Sequence, residues 1–158
     1  MAFSQLQQVM ATLRMSLAEI QNKETQLDAL INQFRTQLRR LPRQVLYGKT
    51  GLDSSLSAMG EIEERLNDAL DNQRRVLEIK KSALEELHAL ELGKQVDEAR
   101  RSLQSLRQHV RTSGEDAETT TEIRRLETFI AEHSRRAEQA ITASYCLLYT
   151  SPSPPDRA

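Results

Sequence analysis

Residues 3–41 read FSQLQQVMATLRMSLAEIQNKETQLDALINQFRTQLRRL. Within them Phe3, Leu6, Met10, Leu13, Leu17, Ile20, Glu24, Leu27, Ile31, Phe34, Leu38 and Leu41 fall on an unbroken alternation of three- and four-residue steps. All but Glu24 are apolar. An α-helix turns once in about 3.6 residues, so this heptad spacing holds one apolar stripe on one side of a rod, and such a stripe is stable only when another helix covers it. The pattern predicts a first helix over residues 1–41, about 60 Å long at roughly 1.5 Å per residue. Pro42 should end it, because proline disfavours helical geometry in the residue before it.

Working outward, residues 42–55 hold Gly48, Gly51, Asp53, Ser54 and Ser55 around the apolar trio Val45, Leu46 and Tyr47. That composition suits a hairpin loop whose apolar residues plug the end of a helical pair. A second long helix is expected over 56–111, with Asp53, Ser54 or Ser55 as N-cap and a seam of Leu56, Met59, Ile62, Leu66, Leu70, Leu77, Leu84 and Leu87. Gln73 and Lys80 take two places where that frame wants apolar residues. After Leu87 the frame slips near residues 92–93, and Leu92, Val96, Ala99, Leu103, Leu106 and Val110 form a new run. Gly93 lies at the slip, which predicts a bent helix, with a hinge at Gly93 as the alternative.

Residues 112–119 read as a second turn, with Gly114 as helix stop and Thr119 and Glu122 spaced for a capping box. A third helix is expected over 120–145, with Ile123, Leu126, Ile130, His133, Ala137, Ala140 and Ser144 on its seam. Short connections make consecutive helices antiparallel neighbours. The fold class is therefore all-α: an elongated antiparallel coiled-coil hairpin of two long helices with a third helix folding back.

The tail reads differently. Residues Cys146 to Pro154 match the usual form of a translated transposase-type sequencing adapter, Cys-Leu-Leu-Tyr-Thr-Ser-Pro-Ser-Pro-Arg-Asp. Pro155 stands where that string has arginine, and Asp156 matches again. The stretch 146–158 resembles adapter read-through, which implies a non-native tail and a native chain cut near Tyr145. The remainder is similar to coiled-coil proteins in general. Its outline resembles prefoldin-like or flagellar-export coiled coils, with no motif that carries a specific family.

Composition narrows the function classes. The chain has 22 basic and 23 acidic residues and a net charge of −1, so no basic field points to nucleic acid. The single cysteine, Cys146, lies in the suspect tail, leaving no disulfide framework, thiol nucleophile or thiolate metal site. Without tryptophan and with 28% charged residues, the chain suits long helices and seams. No basic leader or long apolar block is visible, so a cytoplasmic location is the default expectation.

Candidates for chemistry are weak. Gly48-Lys49-Thr50 has the end of a phosphate-binding loop, but Arg43 stands where its first glycine belongs and a helix precedes it instead of a strand. Turn residues are the simpler reading. Glu85 and His88 have the spacing used in di-iron bundles, yet no second copy occurs, and His109 and His133 lack acids at matching offsets. His133, on a seam, would make helix pairing sensitive to pH. Glu24, the lone charge of the first stripe, should meet a cation across the seam. Lys80 is one partner, but a hairpin folding near residues 47–49 brings Arg74 or Arg75 nearer. No catalytic, cofactor-binding or metal residue is assigned, and no cofactor is expected.

Acid-before-base pairs four apart, such as Glu61 with Arg65 and Asp71 with Arg75, suit solvated helix faces at about 0.2–0.5 kcal/mol each. The expected function is a non-enzymatic coiled-coil scaffold or interaction protein that associates with itself, as a homodimer or larger bundle, or with other helical proteins. One alternative is a peripheral membrane protein using the amphipathic segment 1–22. Another is an accessory coiled-coil subunit of a larger complex.

Overall fold

The computed structural model describes residues 3–149. The expectations for the Phe3 side chain and for residues 150–158 fall outside the described groups. The described residues form α1 (Phe3–Leu46), α2 (Leu52–Ser113) and α3 (Ala117–Tyr149), so the fold is all-α. Helix α2 pairs with α1, and α3 folds back along α2. The chain divides into two compact units, one of Met1–Arg14 and Leu84–Ala158, the other of Met15–Ala83.

Pro42 does not end the first helix. Helix α1 runs through it and stops one turn later, at Leu46. Proline lacks the N–H that would bond the Leu38 carbonyl and its ring crowds that carbonyl, a cost of roughly 3 kcal/mol that the helix absorbs without stopping. The stop comes from Gly48, whose φ of 70° is in the left-handed region that favours glycine. The Gly48 N–H donates to the Val45 carbonyl at 3.0 Å and the Lys49 N–H to the Gln44 carbonyl at 2.8 Å, the paired bonds of a Schellman cap. Gly48-Lys49-Thr50 is therefore part of a helix stop. Leu46 and Tyr47 do not plug the hairpin end, since they stand 80% and 81% exposed.

Helix α2 begins earlier than its expected caps. The Gly51 carbonyl accepts the Ser55 N–H at 3.1 Å and the Ser54 hydroxyl at 3.1 Å, while the buried Ser55 hydroxyl donates to Thr50 Oγ1. The helix then continues without a break to Ser113, so Gly93 is not a break in it. Gly114, with a φ of 85°, supplies the stop. Asp116 rather than Thr119 caps α3, its carboxylate accepting the Thr119 N–H at 2.7 Å. That bond holds the Asp116 carboxyl below its ordinary value. Glu122 pairs with Arg125 in place of closing a capping box, and the guanidinium lowers its carboxyl in turn.

In the unit of Met1–Arg14 and Leu84–Ala158, Leu6, Val9 and Met10 from α1 meet Ala89 and Leu90 from α2 and Ala140 from α3 in one cluster. Leu90 is completely shielded from solvent. A second cluster joins Ala99 and Leu103 of α2 to Leu126 of α3, with Leu106, Ile123, Phe129 and Ile130 around it. Gly93 has a packing role there: a Cβ on it would lie 2.9 Å from Ile141 Cδ1 and 3.6 Å from the Ala137 methyl. The absent side chain lets α3 approach α2 closely. Ser144 is buried and donates to Glu86 Oε1 at 3.1 Å.

In Met15–Ala83, α1 and α2 lie side by side, and no third helix covers them among the described residues. Their cluster has only Leu27, Ile31 and Ala69 fully buried, with Phe34, Leu66, Leu70 and Val76 packed around them. Leu17 is also buried there, and Leu38 and Leu41 are partly covered.

Candidate helix-helix interface

Most of the seam residues read from sequence face inward. On α1, Leu6, Met10, Leu17, Leu27 and Ile31 are buried, and Leu13, Ile20, Phe34, Leu38 and Leu41 are partly buried. On the later part of α2, Val96 and Leu103 are buried, with Leu106 and Val110 partly covered; on α3, Leu126 is buried and Ile123 and Ile130 are partly covered.

The first part of α2 differs. Leu77 is 50% exposed and Leu84 is 49% exposed, and Leu56 also stands in solvent, while Leu66, Leu70 and Leu87 are partly covered. The seam takes Ala69, Val76 and Ala83 instead. Positions 66, 73, 80 and 87 belong to both frames, and the choice lies in stepping three or four residues onward from each. The leucines at 70, 77 and 84 are the greasier set, but of these only Leu70 packs against the buried cluster, while Ala69 and Val76 one position earlier face α1. Close packing selects fit over size.

Val9, Ala89 and Leu90 are core residues outside the sequence-derived frames. They are buried because a third helix shields a second side of each rod, which widens the apolar stripe beyond the two positions per heptad that a simple pair needs. The closely spaced apolar pairs Val9-Met10 and Ala89-Leu90 carry that signal in the sequence.

Glu24 pairs with Lys80 at 3.1 Å, not with Arg74 or Arg75. Arg74 joins Asp71 on its own helix, and Arg75 donates to Asn72. The reason is the direction of side chains. Leu27 and Ile31 share a cluster with Ala69 and Leu70, so Glu24 faces the turn of α2 that follows Val76. Each Cα–Cβ bond tilts toward its helix N-terminus, so Glu24 and Lys80 lean toward each other across an antiparallel seam, whereas Arg74 leans away. Arg14 with Glu91, Arg100 with Glu138 and Arg107 with Glu127 bridge helices as well, at 3.6, 3.1 and 2.9 Å. The Glu24 Oε1 atom is buried without a hydrogen-bond partner, so the pair is satisfied on one oxygen only. Asp28 accepts a bond from Gln73 at 2.7 Å nearby, which gives the second polar frame residue a cross-helix role.

The remaining candidates stand apart. Glu85 and His88 are exposed, and the described residues contain no group of three or more His, Cys, Asp or Glu able to hold a metal ion. His133 is half-covered and lies against Phe129, with ring centroids 4.7 Å apart. No helix among the described residues is long and apolar enough to cross a membrane. The residues that an interfacial helix over 1–22 would offer to lipid include Leu6, Val9 and Met10, which are packed inside protein.

Among the grooves of the two-helix unit, one is lined by both α1 and α2. It has a volume of about 480 Å³, open to solvent, and is lined by Glu19, Ile20, Asn22, Lys23 and Gln26 of α1 and by Val76 and Ile79 of α2. Ile79 is 58% exposed at its edge. An open trough with an apolar floor and a charged rim suits the side of another helix, not the enclosure of a small molecule. The chain matches no known family, no curated protein and no solved structure.

Proposed function

We propose that this protein is a non-enzymatic interaction or scaffold protein that works through helix-helix association, with itself or with other helical proteins. The observation that carries this reading is the incomplete burial of Met15–Ala83: three fully buried residues form its central cluster, while Leu77 and Ile79 remain at least half exposed. A two-helix pair covers one stripe on each rod and gains little core, so association with further helices is the natural way to stabilise it. As an accessory subunit of a larger assembly the chain would present the same faces.

Thermal melting over a wide concentration range, combined with light scattering, tests the self-associating form. Association predicts a Tm that rises with concentration and a mass above the 18.0 kDa of one chain. A concentration-independent melt from an 18.0 kDa species would overturn self-association.

A further inference from the structure

Resting on that association reading, we propose that the groove of Met15–Ala83 receives the same groove of a second copy. The two pack about a two-fold axis, and Ile79 of each is seated against Ile20 and Val76 of the other.

The groove has the form of an unfilled helix seat. Its floor is Ile20 and Val76, and Ile79 projects at its edge. Elsewhere in the chain, stretches of the same two helices receive α3, and there Leu6, Val9, Met10 and Leu90 are sealed almost completely. Stretches of this pair are thus able to take a further helix, and in Met15–Ala83 none is supplied by the described residues.

The pattern along α1 argues for a second copy as occupant. Met15, Glu19, Asn22, Gln26 and Leu30 follow three- and four-residue steps and share one face. Read in either direction, that face is apolar at both ends and polar in the middle. A two-fold contact requires residue i to meet j while j meets i, so its surface must complement its own reverse. An axis between Asn22 and Lys23 sets Met15 against Leu30 of the other copy and Glu19 against Gln26, with the other copy's Lys23 one turn from Glu19. Met15 and Leu30 are 75% and 40% exposed and free to make such contacts. Neither Glu19 nor Lys23 has an ion-pair partner among the described residues, and exchange across the axis gives each one. A net charge of −1 leaves little repulsion between copies.

Sedimentation equilibrium of the full chain tests the proposal, with circular dichroism to verify helicity. The wild type should approach twice 18.0 kDa. Ile79→Glu places a charge in the contact and should weaken the dimer at least about tenfold while helix content stays unchanged. Leu77→Glu does not touch the groove and should leave the mass unchanged. Glu19→Lys should weaken association, and combining it with Lys23→Glu should restore it, because the reversed pair is again complementary. That rescue would not occur with a partner of different sequence. A wild type that stays at 18.0 kDa overturns both the groove assignment and self-association. A dimer that tolerates Ile79→Glu, or that Leu77→Glu breaks, overturns the groove alone and leaves the association reading standing.

Discussion

Met1–Arg14 with Leu84–Ala158 and Met15–Ala83 are built on different stretches of the same two helices, yet they bury their apolar residues very differently. In the first, α3 adds a third wall. Leu90 is wholly enclosed, and Gly93 and Ala137 are small enough to bring the helices close. In the second, the described residues supply no third helix, and the polar frame residues Glu24, Gln73 and Lys80 take seam places that larger apolar residues could hold. The contrast teaches that a heptad stripe sets which side of a helix is covered, while the number of neighbours sets how deeply.

The largest expected effects test this contrast directly. Leu90→Ala should cost about 2–5 kcal/mol, because three walls cannot all collapse into the space it leaves. Leu27→Ala should cost less, at the lower end of that range, since a two-helix contact can readjust and admit water. Urea titrations compare the two, and a larger loss for Leu27→Ala would reverse the order of burial. Next, Gly93→Leu should release α3 from α2, seen as faster amide exchange across α3. Gly93→Ala should be nearly neutral: the gain in helix propensity of about 1 kcal/mol offsets the displacement of the flexible end of Ile141.

A smaller effect is expected at Glu24 and Lys80, whose side chains are 20% and 29% exposed. A double-mutant cycle through Glu24→Ala and Lys80→Ala should give a coupling of about 1 kcal/mol. The corresponding cycle with Arg74→Ala should give none. The smallest effect belongs to the cap of α3. The Asp116 carboxyl is lowered on folding by the Thr119 N–H, so its contribution is present above the unfolded carboxylate value of about 3.9 and is lost as pH falls through the lower folded value. Amide exchange at Thr119 should lose its protection across that acidic window in the wild type, and Asp116→Ala should remove the dependence.

The fold was largely legible because leucine, isoleucine and valine periodicity reports helical faces directly, as the seams of α1, late α2 and α3 demonstrate. Boundaries were less legible. Pro42 is a strong signal read locally, but the stop is set by a left-handed glycine six residues on, whose backbone bonds leave only a faint mark in composition. The choice between Leu77 and Val76 turned on which of two adjacent positions faces α1, a one-residue rotation that hydrophobicity does not encode. Lys80 over Arg74 depended on the tilt of Cα–Cβ bonds, a property of helix direction that residue counting across a hairpin omits. The groove around Ile79 left almost no trace in the sequence, because an unfilled seat looks the same as a filled one until its neighbours are placed.

The Gly48 reversal has a practical outcome for anyone handling the protein. The linkage it makes is short and exposed, and Lys49 stands in the open beside Thr50. Trypsin cutting there would sever the tether and leave every seam residue in place, turning a tethered pair into two separate strands. How long the halves stay together after such a nick would measure how much the tether contributes through local concentration alone.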